Sequence, residues 1–321
     1  MKKFFLFAAI AAAVSFTSCS NDDDLTTVSN PSASGLAETP ISFVTDDGKP
    51  VTRAGDVTSL TSFKVTGVTS TGATYFSNET FSFANSMFSS STPYYWPVSG
   101  TMDFYAANSG TINYASGAAS LSVVANDGTT DYVTAVSKAI SKATTVPLTF
   151  KHIMSRLTVK VKPYSASDGY DYQITSVKAY VKGSGKYTFG STTGTVGSWS
   201  DLKDYKTYTW TTGLPATTGK SNSAKVISLT QAFYVLPATT SSDMITFDVD
   251  FKVYKNGVLV ADHTGENCGT VDINDPGLVM GKSICYILEP SFTGDDAKPI
   301  AFTATVTPWG ATTDIDSDYE M

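Results

Sequence analysis

Ile300-Ala301-Phe302-Thr303-Ala304-Thr305-Val306 carries the reading of the fold. The side chains at even positions are apolar, and Ala and Thr stand between them. Side chains of an extended chain alternate between two faces, so this period of two predicts a strand with one buried face. The same style recurs toward the N-terminus. Ile41-Ser42-Phe43-Val44 reads as a short strand ended by Asp46-Asp47-Gly48, and Phe63–Val68, Ala73–Phe76 and Thr101–Ala106 follow it. Val146–Phe150 and Leu157–Val161 flank Lys151-His152. Further candidates are Ile174–Val181, Lys206–Thr211, Val226–Val235, Ile245–Tyr254, Val258–His263 and Cys285–Leu288. No stretch sustains a 3.6-residue apolar period, and Ala135–Ala143 is expected to make one or two helical turns at most. Short strands at regular spacing predict an all-β protein built of β-sandwiches.

Composition agrees with this class. The chain is rich in Thr, Ser, Val, Tyr and Phe and is punctuated by 24 Gly and 13 Pro, a mixture that favours strands and turns. Its net charge of −7 comes with no basic stripe, which disfavours nucleic acid as a partner, and none is expected. A chain of 321 residues predicts about two domains. The turn-rich stretch Tyr164–Gly169 is the expected boundary, giving domains over residues 37–164 and 165–321.

The first residues point to an address. Lys2 and Lys3 precede an apolar stretch from Phe4 to Phe16, then Thr17-Ser18-Cys19. This resembles a bacterial lipoprotein signal peptide over residues 1–18, cut before Cys19. The apolar stretch falls short of the ~20 residues that span a bilayer. Several acyl chains on Cys19 would hold the precursor in the outer membrane, because each buried methylene adds about 0.8 kcal/mol. Ser20-Asn21-Asp22-Asp23-Asp24 resembles the export signal to the outer face of the outer membrane in Bacteroidetes lipoproteins, and it would also stay extended as a solvated tether. Residues 19–36 read as that tether.

The chain has three cysteines and two arginines. With Cys19 acylated, Cys268 and Cys285 form one disulfide or remain two thiols, and the sequence leaves both open. Arg53 lies among turn formers in Thr52-Arg53-Ala54-Gly55, whereas Arg156 stands inside a strand-like run and should be sheltered.

Catalytic constellations are near misses. Gly277-Leu278-Val279-Met280-Gly281-Lys282-Ser283 approaches a phosphate loop but has one residue too few between its glycines, so a turn is expected there. Asp314, Asp316 and Asp318 alternate as calcium ligands do, without the turn Gly or the closing Glu. His152 and His263 are the only histidines and make no dense metal cluster by spacing. No nucleophile elbow is present. The expectation is a protein that is not an enzyme and carries neither cofactor nor metal.

Several stretches in order bear a family likeness: Ile41-Ser42-Phe43, Thr52-Arg53-Ala54, Pro93-Tyr94-Tyr95-Trp96-Pro97 through Ala106, Phe150–Val159 and the closing Val306-Thr307-Pro308-Trp309. Together, behind a lipoprotein signal, they resemble the fimbrillin or Mfa-like pilins of the Bacteroidia. The resemblance implies two tandem transthyretin-like β-sandwich domains. It also implies that an Arg-specific surface protease cuts between Arg53 and Ala54, and that the strand bearing Ile41 and Phe43 is lost. A strand from the next subunit then fills the groove, and head-to-tail joining builds a fimbrium at the cell surface. The physics is general: a missing strand exposes unpaired amides and an apolar trench, and an added strand satisfies both. Ile300, Phe302, Ala304 and Val306 are the expected donor side chains, with the acidic tail from Ala311 as the alternative. The partners implied are other pilin subunits, the protease and the membrane. The competing reading is a pilus tip adhesin or surface glycan-binding lipoprotein on the same fold, which would take a host or bacterial surface ligand.

Overall fold

A computed structural model describes residues 39–45, 60–162, 164–165, 170–211, 214, 216–217, 226–271, 277–289, 291–293, 296–297 and 301–308. Every regular element among them is a strand, as the alternation predicts. In the first half these are β1 (Phe43–Thr45), β2 (Ser62–Thr69), β3 (Thr74–Ala84), β4 (Met87–Ser90), β5 (Met102–Ala107) and β6 (Ile112–Ala115). Next come β7 (Ala118–Val124), β8 (Val133–Ile140), β9 (Val146–Leu148), β10 (Lys151–His152) and β11 (Ser155–Val161). The second half holds β12 (Tyr164–Ser165), β13 (Tyr170–Thr188), β14 (Ser198–Trp210), β15 (Ala216–Thr217), β16 (Ile227–Ser228) and β17 (Phe233–Val235). It closes with β18 (Ile245–Lys255), β19 (Val258–Val271), β20 (Lys282–Glu289), β21 (Ser291–Thr293), β22 (Asp296–Ala297) and β23 (Ala301–Pro308).

An eight-stranded sheet runs in the order β10-β8-β5-β2-β3-β4-β1-β9. A second sheet runs β19-β18-β13-β7-β6, with β14 and β15 also on β13. A third runs β16-β11-β20-β23, with β17 on β11, and β12, β21 and β22 form a small fourth. β13 is shared along its length: Tyr170–Tyr180 pairs with β18, and Ser184–Thr188 with β7. β11 pairs in parallel with β20, so Leu157 lies opposite Ile284.

β5 shows how the sequence builds layers. Met102, Phe104 and Ala106 belong to one apolar cluster, while Tyr105 and Ala107 belong to another on the opposite face. The first cluster is aromatic, with Phe43, Phe63, Phe81 and Phe88 fully buried. A buried Phe contributes about 1.5–3 kcal/mol through its removal from water. A third cluster joins β11, β13, β18 and β20 through Leu157, Val177, Val249 and Tyr286.

Two expectations are corrected. The single strand expected over Val226–Val235 is broken into β16 and β17, with residues 229–232 outside both. Ala135–Ala143 was expected to hold helical turns, and it lies instead largely in β8, paired with β5 and β10. Val133 through Ser137 are all buried, with Ala135 in one cluster and Val136 in another. A strand covered on both faces shows no polar alternation, so its period of two vanishes from the sequence.

Candidate functional site

The site is β1 and the groove that holds it. Thr39–Ser42 runs beside Tyr94–Trp96: the Ile41 N–H donates to the Tyr94 carbonyl at 2.7 Å, and the Trp96 N–H donates to the Thr39 carbonyl at 3.3 Å. β1 then enters the sheet between two neighbours. On one side Phe43 stands opposite Phe88 of antiparallel β4. On the other, Phe43, Val44 and Thr45 stand opposite Val146, Pro147 and Leu148 of parallel β9. The Val146 N–H donates to the Ser42 carbonyl at 2.9 Å, and Ser42 Oγ donates to the Thr144 carbonyl at 2.8 Å.

Inward side chains fix this strand. Ile41 is 2% exposed and Phe43 is 0% exposed, as the alternation predicts for the buried face. The Phe43 ring meets Phe81, Phe104 and Phe63 edge-on, at centroid distances of 4.8, 5.1 and 6.1 Å. Edge-on geometry sets the positive rim of one ring on the negative face of another, worth about 0.5–1.5 kcal/mol beyond area burial. β1 is therefore bonded on both flanks and fills the aromatic cluster. Its withdrawal would leave β4 and β9 with open edges and a trench the width of one strand. β9 has no other strand partner among the described residues. Beside the entry of β1 lies a cleft of about 280 Å³ between Thr39–Ser42 and Met87–Ser90, closed by Pro93 and Thr144.

The remaining predicted residues fall in different places. Cys19, Arg53, Ala54 and Ile300 lie outside the described residues, as do Asp314, Asp316 and Asp318. β23 carries Phe302, Ala304 and Val306 and runs antiparallel to β20, with Phe302 opposite Leu288, Ala304 opposite Tyr286 and Val306 opposite Ile284. Among the described residues it is the edge of its sheet. Ala304 and Val306 are half-buried against the cluster of β11 and β20. Phe43, with Ile41 just before β1, thus belongs to one sheet and β23 to another within a single chain. Cys285 is half-buried on β20, and the side chain of Cys268 is outside those described.

Arg156 sits in β11, half-buried, with Nη1 donating to Ser283 Oγ at 3.4 Å. His152 is held by Asp131, with Nδ1 and Oδ2 2.6 Å apart. Burial pushes the Asp131 carboxyl up, and the hydrogen bond and charge of His152 oppose that shift. The ring of His263 stacks on Phe251, 4.6 Å between centroids. The stretch Gly277–Ser283 makes a turn into β20, where Gly281 takes a φ of +69°. Among the described residues no three His, Cys, Asp or Glu side chains gather as metal ligands.

The sequence shows β1 and the strand at Val146–Phe150 that forms one wall of its groove, but neither their pairing nor the other wall, β4. β4 is four residues long and half serine, and nothing local in Val146-Pro147-Leu148 announces a parallel partner a hundred positions away.

The model of the family described as fimbrillin-like matches residues 44–309. No curated protein matches the chain by sequence. Among solved structures, a fimbrial protein from Bacteroides vulgatus is similar with a TM-score of 0.58 and 13% identity, over 84% of this chain and 99% of that one. A protein ascribed to cell adhesion from Parabacteroides distasonis gives a TM-score of 0.56 at 11% identity, over 85% and 98%. A second from the same species gives 0.51 at 10% identity, over 86% and 100%. At these identities the likeness is one of fold.

Proposed function

Because this chain belongs to the fimbrillin-like family, we propose that it is a structural fimbrial subunit that reaches the cell surface as a lipoprotein and polymerises by strand exchange. Cys19 carries the lipid, and an Arg-specific protease cuts between Arg53 and Ala54. β1 then leaves, and a C-terminal strand of a second copy, bearing Ile300, Phe302, Ala304 and Val306, takes its place. Part of the same proposal is the division into transthyretin-like sandwiches over residues 37–164 and 165–321. Catalysis has no part in it.

The observation that carries the proposal is the position of β1. It is short, bonded on both flanks, buried through Ile41 and Phe43, and followed in sequence by Arg53. After a cut at Arg53 only non-covalent contacts hold it. An open trench with two unpaired edges takes a strand of another chain by the same pairing. A contact that joins one surface to a different one adds copies head to tail, and a filament grows where the rotation between successive copies does not close a ring.

The test is Arg53→Ala in the full-length protein on cells. Wild-type filaments should begin at Ala54 by mass spectrometry, and the variant should stay lipid-anchored, folded and unassembled. Normal filaments from the variant would remove proteolytic activation from this reading.

A further inference from the structure

The strand that leaves and the strand that replaces it share a signature. Pro40-Ile41-Ser42-Phe43-Val44-Thr45 and Pro299-Ile300-Ala301-Phe302-Thr303-Ala304 both read Pro-Ile-x-Phe with a small residue at x. Ile245-Thr246-Phe247 lacks the proline and is interior to its sheet in β18, so the full signature occurs at these two places only. We propose that the donor segment of a second copy enters the groove in the register of this match. Ile300 takes the place of Ile41, Phe302 that of Phe43 and Ala304 that of Thr45, with the donor parallel to β9 and antiparallel to β4. The proposal rests on the strand-exchange reading above and fixes the partner and the register of that same site.

Each shared position answers a feature of the groove. Three rings present their edges or faces to Phe43, and a phenyl ring fills that space. Ser42 is 4% exposed beside Thr144, which leaves room for Ala301 and little more. Val44 is half-buried and Thr45 buried, and their replacements Thr303 and Ala304 are the same size or smaller. No donor side chain exceeds the one it replaces, so this register brings no overlap.

Other registers fail on the same grounds. A slip of one residue turns Ile300 and Phe302 away from the trench. A slip of two puts either Ala304 or Ile300 at the Phe43 place, and with Ala304 it leaves a phenyl-sized void. Beyond the match the two segments diverge in the donor's favour. Val306 falls where the departing segment has Asp47, so the donor continues its apolar alternation while the original runs into Asp46-Asp47-Gly48. The tail from Ala311 contains no Pro-Ile-x-Phe.

Cysteine cross-linking in filaments tests the register. The background is the full-length chain with Cys268→Ala and Cys285→Ala, cut by an Arg-specific protease. Val44 lies opposite Pro147, so Thr303→Cys combined with Pro147→Cys should give a ladder of covalent multimers on a non-reducing gel. Thr303→Cys with Thr145→Cys or Thr149→Cys marks a slip of two residues. Two residues displace the pair by about 6–7 Å, beyond disulfide reach, and at least about tenfold less product is expected. A stronger ladder from either slipped pair overturns the register and keeps strand exchange. Filaments with no ladder from any pair overturn both this segment and its register, and leave exchange through another segment. If wild-type protein forms no filaments after cleavage, strand exchange itself fails and this proposal with it. Where cysteine variants do not assemble, a synthetic Pro299–Val306 peptide decides. It should bind the cleaved wild-type chain and be displaced by a Thr39–Thr45 peptide, with Phe302→Ala in the donor peptide weakening it about tenfold or more. Absence of binding overturns the proposal.

Discussion

Phe43 stands edge-on to Phe104, ring centroids 5.1 Å apart and planes at 83°. β1 and β5 are separated in the sheet by β2, β3 and β4, so this contact joins strands that are not neighbours and keys the N-terminal strand to the aromatic cluster. The same ring that closes the core of the precursor belongs to the segment proposed to leave it. That makes its contribution measurable as precursor stability.

Phe43→Ala should destabilise the uncleaved chain by about 3–5 kcal/mol, the usual cost of emptying a buried aromatic site. Val44→Ala, on the half-buried outer face, should cost under about 1.5 kcal/mol. Denaturant unfolding of the two variants checks the difference. Equal losses would show that Phe43 does not anchor the strand.

Limited digestion should cut at Arg53 well before Arg156. Arg156 is half-buried in β11, between β20 and β17, and a protease needs an extended, freely accessible backbone. Lys49 is a rival for trypsin in the same stretch, so an Arg-specific enzyme gives the clean result. N-terminal sequencing of the first large fragment should read Ala54. A first cut at Arg156 would contradict the sheltering.

Stability should fall in acid through Asp250. Burial raises its carboxyl, but hydrogen bonds from Lys178, Ser176 and the Gly265 N–H outweigh that and hold it below the ordinary carboxylate range, with Lys178 Nζ 2.7 Å from Oδ2. A depressed folded value means stabilisation that is fully present above about pH 4, the unfolded value, and lost as pH falls through the folded one. Asp250→Asn should cost about 1.5–3 kcal/mol at pH 7, and its deficit should shrink toward pH 2. A deficit that is constant with pH would assign the cost to packing.

The sequence makes the strands legible where one face is wet. β11 alternates buried and half-buried residues from Ser155 to Val161, and β20 does the same near its end, so both are read correctly from period alone. β8 is lost because Val133–Ser137 is covered on both sides. The groove is lost for a different reason. Phe43 and Val146 are neighbours through a parallel pairing of segments remote in sequence, and no local pattern encodes which strands meet. Ile41 and Phe43 can thus be singled out as buried residues from their alternation, while the ring of partners around them cannot.

Anchoring should depend on Cys19. Cys19→Ala should abolish labelling by palmitate and leave the signal uncleaved by the lipoprotein peptidase. Replacing Asp22, Asp23 and Asp24 with Ala should keep the label but trap the protein facing the periplasm. Protease added to intact cells checks the second outcome. If it still reaches the triple variant, the acidic run is a tether only.

Assembly should be abolished by Phe302→Asp and little changed by Thr303→Asp. Along β23 neighbouring side chains face opposite ways, so the first substitution puts a carboxylate into the trench that held Phe43 and the second puts one outside it. Burying an unpaired carboxylate costs more than the 1.5–3 kcal/mol or so gained by burying a phenyl ring. The control is the uncleaved monomer, because β23 also pairs with β20 in its own chain. Residues 302, 304 and 306 share one face of β23, and Ala304 and Val306 pack against the core of their own chain. Phe302→Asp should therefore lower the monomer's thermal midpoint while Thr303→Asp leaves it near wild type, and assembly is compared at a temperature where both variants are folded. If Phe302→Asp unfolds the monomer, the residue belongs to its own sheet and the donor lies elsewhere. If the monomer stays folded and still polymerises, no donated strand runs through Phe302, and the tip adhesin or glycan-binding reading takes first place.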